Sequence, residues 1–312
     1  MNELVLAFNV VFPLCLMMSL GYLLRMLHVL KEPLISQLTR LCFQVFLPFL
    51  LFINVYQSDF EEIFKPKLIG YATSIVFITF IVVSIIASKC VKQTNRKGVV
   101  IQGIFRSNYI LFGLPIAAAL FGKENTGTTA VLIAFVVPLF NVLSIIILDI
   151  YKEGKINYKR TLKDILKNPL IIASFLAFVF IILHIQLPTA IITTIEDIAG
   201  IATPLALLAL GAGFAFKAAG TNLNLLMIVA ACKLVIVPLI WIPISLMLGF
   251  KGMELGAIMT LLAAPTAVSS FTMAESMKGD SELAGQIVVI TSTLSIVTLF
   301  MWITVLKMFH LF

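Results

Sequence analysis

Arg106-Ser107-Asn108-Tyr109-Ile110-Leu111-Phe112-Gly113-Leu114-Pro115 decides how this chain is read. The stretch lies inside an apolar segment, 98–121, long enough to cross a bilayer. Gly113 and Pro115 fall near the middle of that segment, where a spanning helix should be unbroken. Pro115 has no N–H to donate and clashes with the carbonyl four residues back, and Gly113 lowers the cost of bending. A break at that depth frees backbone polar groups, which protein, water or a ligand must satisfy. Arg106 and Asn108 stand one to two turns before it, and polar groups held so deep tend to line a pathway. Taken alone, a proline kink beside a snorkelling arginine explains the stretch as well, because Gly and Pro are common in membrane helices. A second break, later in the chain, favours the pathway.

The chain has 312 residues, 61% hydrophobic and 12% charged, with a mean hydropathy of +1.10. A soluble domain is nearer a quarter charged, so an all-α polytopic membrane protein is predicted. Ten apolar spans can be marked, at 4–25, 33–57, 67–88, 98–121, 127–149, 169–187, 190–214, 223–248, 253–276 and 283–308. The first has neither a basic n-region nor a small-x-small cleavage site, and it reads as a retained span. Cys15, Cys42, Cys90 and Cys232 are far apart and form no CxxC, which indicates neither a disulfide framework nor a zinc site.

The net charge of +7 raises nucleic acid as a partner, but the charges lie in a topological pattern instead. Fourteen of the 22 Lys and Arg residues fall in connections on one side, including six in the 150–168 loop, and five fall on the other. The rich side is cytoplasmic by the positive-inside rule. Both termini then face out, the 150–168 loop faces in, and the partner of the charge is the anionic inner leaflet. A cell (inner) membrane location follows. Arg40, Arg106 and Lys233 remain inside spans. No acidic residue is comparably deep: Asp149 and Glu275 fall at inner span ends, Glu196 and Asp197 near an outer one.

The chain also repeats itself. Span two carries Phe46-Leu47-Pro48-Phe49-Leu50-Leu51 and span seven Ala202-Thr203-Pro204-Leu205-Ala206-Leu207. Span four breaks at Pro115 and span nine at Pro265, within Leu262-Ala263-Ala264-Pro265-Thr266-Ala267. The separation is nearly equal in the two pairs, which divides the chain into halves of five spans, 1–149 and 169–312, joined by 150–168. Five is odd, so the halves have opposite orientation. That is the inverted-repeat plan of secondary transporters, and interrupted spans at matching positions point to a midplane site.

These motifs together resemble the auxin efflux carrier family, which includes plant PIN exporters and bacterial carboxylate carriers. They are Arg40 eight residues before Pro48, Asn108 seven before Pro115 with Gly113 between, and Asp197 upstream of Pro204-Leu205-Ala206-Leu207-Leu208-Ala209-Leu210-Gly211. Lys233 five before Pro238 and Ala264-Pro265-Thr266-Ala267 complete the set. The resemblance implies ten transmembrane helices, two crossing broken helices (spans four and nine), a homodimer and an elevator-type motion. Spans one, two, six and seven would be the scaffold, and three to five with eight to ten the transport domain. The long central hydrophilic loop of the plant exporters is missing, and the short chain is more similar to malate and malonate carriers.

Broken spans leave half-helix N-termini, with free N–H groups and partial positive charge, near the midplane. They are expected after Pro115 and after Pro265. Asn108 offers amide donors there, and Thr266, Ser269 and Ser270 offer hydroxyls. The alternative for the hydroxyls is ordinary helix packing. Gln44, one turn beyond Arg40, is a candidate contact from the scaffold side, and Arg40 itself snorkels. Arg106 and Lys233 either bias the cavity towards anions or pair with a carboxylate such as Asp149 or Glu275.

Enzyme chemistry finds no support: there is no HExxH, no Asp-rich pair and no phosphate-binding glycine loop. His28, His184 and His310 stand at span ends. No cofactor or metal is expected. The alternatives are a cation/proton antiporter or sodium-coupled symporter of the same general fold, and an anion channel. A cation antiporter should carry a deep acid, and a channel a ring of carboxylates or a carbonyl-lining repeat, and neither is found. The expectation is a secondary transporter of small organic anions, mono- or dicarboxylates such as malate, malonate or auxin-like acids.

Overall fold

The structure, a computed structural model, describes residues 2–57, 65–122, 125–152, 166–213 and 222–311. Its helices in chain order are α1 (Asn2–Met26), α2 (Glu32–Tyr56), α3 (Pro66–Cys90), α4 (Thr94–Phe105), α5 (Tyr109–Phe121) and α6 (Gly127–Lys152). They continue with α7 (Pro169–Ile182), α8 (Thr189–Gly213), α9 (Leu223–Met247), α10 (Gly252–Ala263), α11 (Ser269–Ser276) and α12 (Ser281–Met308). Six of them, α2, α3, α6, α8, α9 and α12, are long and apolar enough to cross a membrane. α4 with α5, and α10 with α11, each divide one apolar stretch into two helices. No strand occurs among the described residues.

The helix ends follow local chemistry. Proline opens α2, α3 and α7 in the first turn, where a missing N–H costs nothing. The Asn168 side chain caps α7 through the Leu170 N–H, and Asp280 caps α12 through Leu283. His28, His184 and His310 take left-handed conformations just beyond α1, α7 and α12. There they close helices, as the residue after a helix often does.

α1 and α8 pack with unusually little between them. A Cβ on Gly21 would fall 2.1 Å from the Leu208 carbonyl oxygen, and one on Gly211 would fall 1.9 Å from that of Met18. Only glycine allows this backbone-on-backbone approach. α8 also packs on α2, and α2 on α7. α4 and α6 pack together, α3 covers both, and α9 joins α12 nearby.

The structure corrects the position of the first break. Pro115 lies inside α5 and is exposed. The chain leaves helical geometry earlier, at Arg106, which is extended at φ −87, ψ 125, and resumes at Tyr109. The second break, at Ala264–Val268, does contain Pro265. What opens the first stretch is a partner segment: Ser107 forms an antiparallel bridge with Thr266, and the Asn108 N–H donates to the Pro265 carbonyl at 2.8 Å.

Two further irregularities are π-turns, Cys42–Phe46 in α2 and Cys232–Ile236 in α9. Each precedes a proline, Pro48 or Pro238, and each wide turn lets the helix pass a residue without an N–H. Pro238 leaves the Leu234 carbonyl without its helical donor, and the Trp302 indole supplies one at 3.0 Å.

Candidate functional site

The two breaks meet at one point. The Thr266 hydroxyl donates to the Gly103 carbonyl at 2.7 Å, and the Thr266 N–H donates to Thr291 Oγ1 on α12 at 3.2 Å. Ser107 Oγ donates to the Leu261 carbonyl in the last turn of α10 and accepts from Lys233 Nζ. Backbone groups that hydrocarbon would leave bare are thereby satisfied by the opposite break.

On one side of this crossing lies a cavity of about 620 Å³, counting its open mouth. Arg106, Asn108, Asn141 and Ser269 form its polar wall. Leu47, Leu50 and Leu51 of α2, Leu170 of α7, and Thr203 and Ala206 of α8 face them. Arg106 is 3% exposed and is held by neutral groups: its guanidinium donates to Asn141 Oδ1 and Ser269 Oγ, each at 2.7 Å, and to the Met273 sulfur. Its planar fork is thus fixed while its charge meets no carboxylate among these partners. The Nδ2 groups of Asn108 and Asn141 are buried with no hydrogen-bond partner. Buried donors left unmade are costly, and these two border a cavity. Ser269 also begins α11 and Asn108 immediately precedes α5, so two helix N-termini face the same space.

Other predicted residues lie elsewhere. Gly113 is buried, and a Cβ there would press within 3.0 Å of Thr129 and 3.1 Å of the Tyr109 ring, so its role is packing. Thr266 has both donors committed to the crossing, and Pro265 gives its carbonyl to it. Gln44 is exposed and outside the cavity lining. It lies within the π-turn, whose wider i→i+5 pitch breaks the simple register with Leu47 and Leu51. Arg40 is exposed as well. Lys233 is 1% exposed and is not itself in the cavity lining, which it meets through its bond to Ser107, a lining residue. Asp149 is buried near the end of α6, roughly 12 Å along the helix from Asn141 by helical rise. It is not among Arg106's partners.

Asn141 and Ser107 were not singled out from the sequence. Asn141 gave a usable signal, since an amide midway along the apolar α6 is as conspicuous as Asn108. Among the described residues no group of three His, Cys, Asp or Glu could hold a metal ion.

A chain that is helical throughout its described elements, with buried donors converging at two helix breaks beside a cavity, has the features of a membrane transporter. The profile of the family described as "Membrane transport protein" matches residues 6–161 and 155–303. The chain belongs to this family, that of the auxin efflux carriers. It is similar to an uncharacterized transporter of Methanothermobacter thermautotrophicus, 28% identical over 302 residues, covering 92% of this chain and 94% of the relative. It is also similar to an uncharacterized transporter of Methanocaldococcus jannaschii, 22% identical over 309 residues, covering 94% and 97%.

Proposed function

We propose that this protein is a secondary transporter of small organic anions, built from ten spans in two inverted halves and working by elevator-type alternating access. The observation that carries the reading is the unpartnered amide of Asn108, beside Arg106, at two helix N-termini bordering one cavity. A carboxylate satisfies all of these groups at once, and charge-assisted bonds of that kind are the strong ones.

The opposite wall supports the elevator reading. Leu47, Leu50, Leu51, Leu170 and Ala206 offer no polar group to a substrate and Thr203 offers one hydroxyl, so a bound anion would travel with the Arg106 wall while the leucine-rich wall slips past it. α1, α2, α7 and α8 would be the scaffold and the remaining helices the moving body. With the charged and amide donors gathered at one end and a mostly apolar wall facing them, a single carboxylate on an apolar body suits the space better than two carboxylates do. The protein would sit in the cell membrane as a homodimer.

Vesicles reconstituted with the protein and given labelled indole acetate, malate and malonate test this. Uptake of indole acetate above the two dicarboxylates is expected. Indifference to every carboxylate, with clear cation flux instead, would refute the proposal.

A further inference from the structure

Lys233 does not itself line the cavity, yet it is among the largest fully buried side chains. The π-turn Cys232–Ile236 carries it, and its ammonium donates to Ser107 Oγ. Ser107 spends its own proton on the Leu261 carbonyl, so only a lone pair is left for the lysine. Among the described residues Lys233 makes no ion pair.

The charges at the crossing explain why an ammonium is held there. α4 (Thr94–Phe105) and α10 (Gly252–Ala263) are both 12 residues long and both end at the crossing. A helix C-terminus carries roughly half a negative charge, so the two ends together present about one. The N-terminal ends of α5 and α11, with Arg106, make the cavity side positive. The crossing is therefore polarised, with the cavity on its positive face and Lys233 on its negative face. One fixed ammonium matches the charge of the two C-terminal ends, and the Leu261 carbonyl and Ser107 hydroxyl are oxygen ligands of the kind a small hard cation takes.

We infer that the Lys233 ammonium is a tethered replacement for a coupling cation: it fills the point where a sodium ion would be held by the ends of α4 and α10, so this protein binds no sodium there and its structure does not depend on it. The inference rests on reading the crossing as the transport site. Its test needs no substrate, so it fails or stands separately from the choice of anion.

Thermal melting of the purified protein in choline, sodium and potassium chloride at matched ionic strength provides that test. The unchanged protein and Lys233→Arg should melt at the same temperature in all three salts. Lys233→Ser removes the charge and leaves an oxygen ligand in its place, so its melting temperature should rise saturably by a few degrees with sodium over choline. If Lys233→Ser cannot be purified in choline, recovery of folded protein in sodium alone counts as the same result. Sodium-specific stabilisation of the unchanged protein would overturn the inference. So would a Lys233→Ser chain equally stable, or equally lost, in all three salts.

Discussion

Arg106, Asn108 and Ser269 were legible in the sequence because polar groups inside apolar runs are rare and costly. Their partners were less so. The sequence left Arg106 either biasing a cavity towards anions or pairing with a carboxylate, whereas the structure gives it Asn141 of α6 and Ser269 and the Met273 sulfur of α11, two other helices. This geometry predicts that Arg106→Lys, which keeps the charge but loses the planar fork, weakens binding of indole acetate at least tenfold by equilibrium titration. An unaltered affinity would show that only charge matters there. The first break does not fall at Pro115, and Gln44 is outside the cavity lining. A proline is visible wherever it stands, but a helix can carry one on an exposed face, and Gln44 was placed by its register with Arg40, which is exposed like it. Pro115→Ala should accordingly bind indole acetate as the unchanged protein does, within about twofold, well under the effect of one charged hydrogen bond. A large loss would return the break to Pro115.

Among elements, the broken helices show what a sequence holds and what only folding adds. Residues 106–108 include neither Gly nor Pro, so no local rule opens the helix there. The extended conformation is kept by Pro265 and Thr266, which lie more than 150 residues away in the chain. By contrast, the division into apolar stretches and the existence of a second break at Pro265 were open to inspection. The contact of α1 with α8 gives a sharp test, because α8 contains both a crowded and an open glycine. Gly211→Ala must displace the Met18 backbone and should cost about 1–3 kcal/mol, the usual range for overpacking, read as a clearly lower melting temperature. Gly200 has nothing within 4 Å of a new Cβ, so Gly200→Ala should melt at or above the original temperature. Equal melting of the two variants would mean that the helices are not in backbone contact.

For the whole molecule, the distribution of Lys and Arg predicts a cytoplasmic central connection. A cysteine at Gly154, in a background lacking Cys15, Cys42, Cys90 and Cys232, should resist membrane-impermeant thiol reagents in intact cells and react once the cells are opened. Gly154 lies outside the described residues, so the expectation rests on the distribution of Lys and Arg alone, and ready labelling in intact cells would reverse the orientation. The central claim is that the crossing of the two breaks holds an organic anion, and equilibrium binding of indole acetate to the purified protein and to Asn108→Ala tests it most directly. One charged hydrogen bond is worth roughly 1.5–3 kcal/mol. Asn108→Ala should therefore bind about ten- to a hundredfold more weakly while melting close to the original temperature, because the lost amide has no protein partner. Full-strength binding by Asn108→Ala would contradict the account and place the site elsewhere.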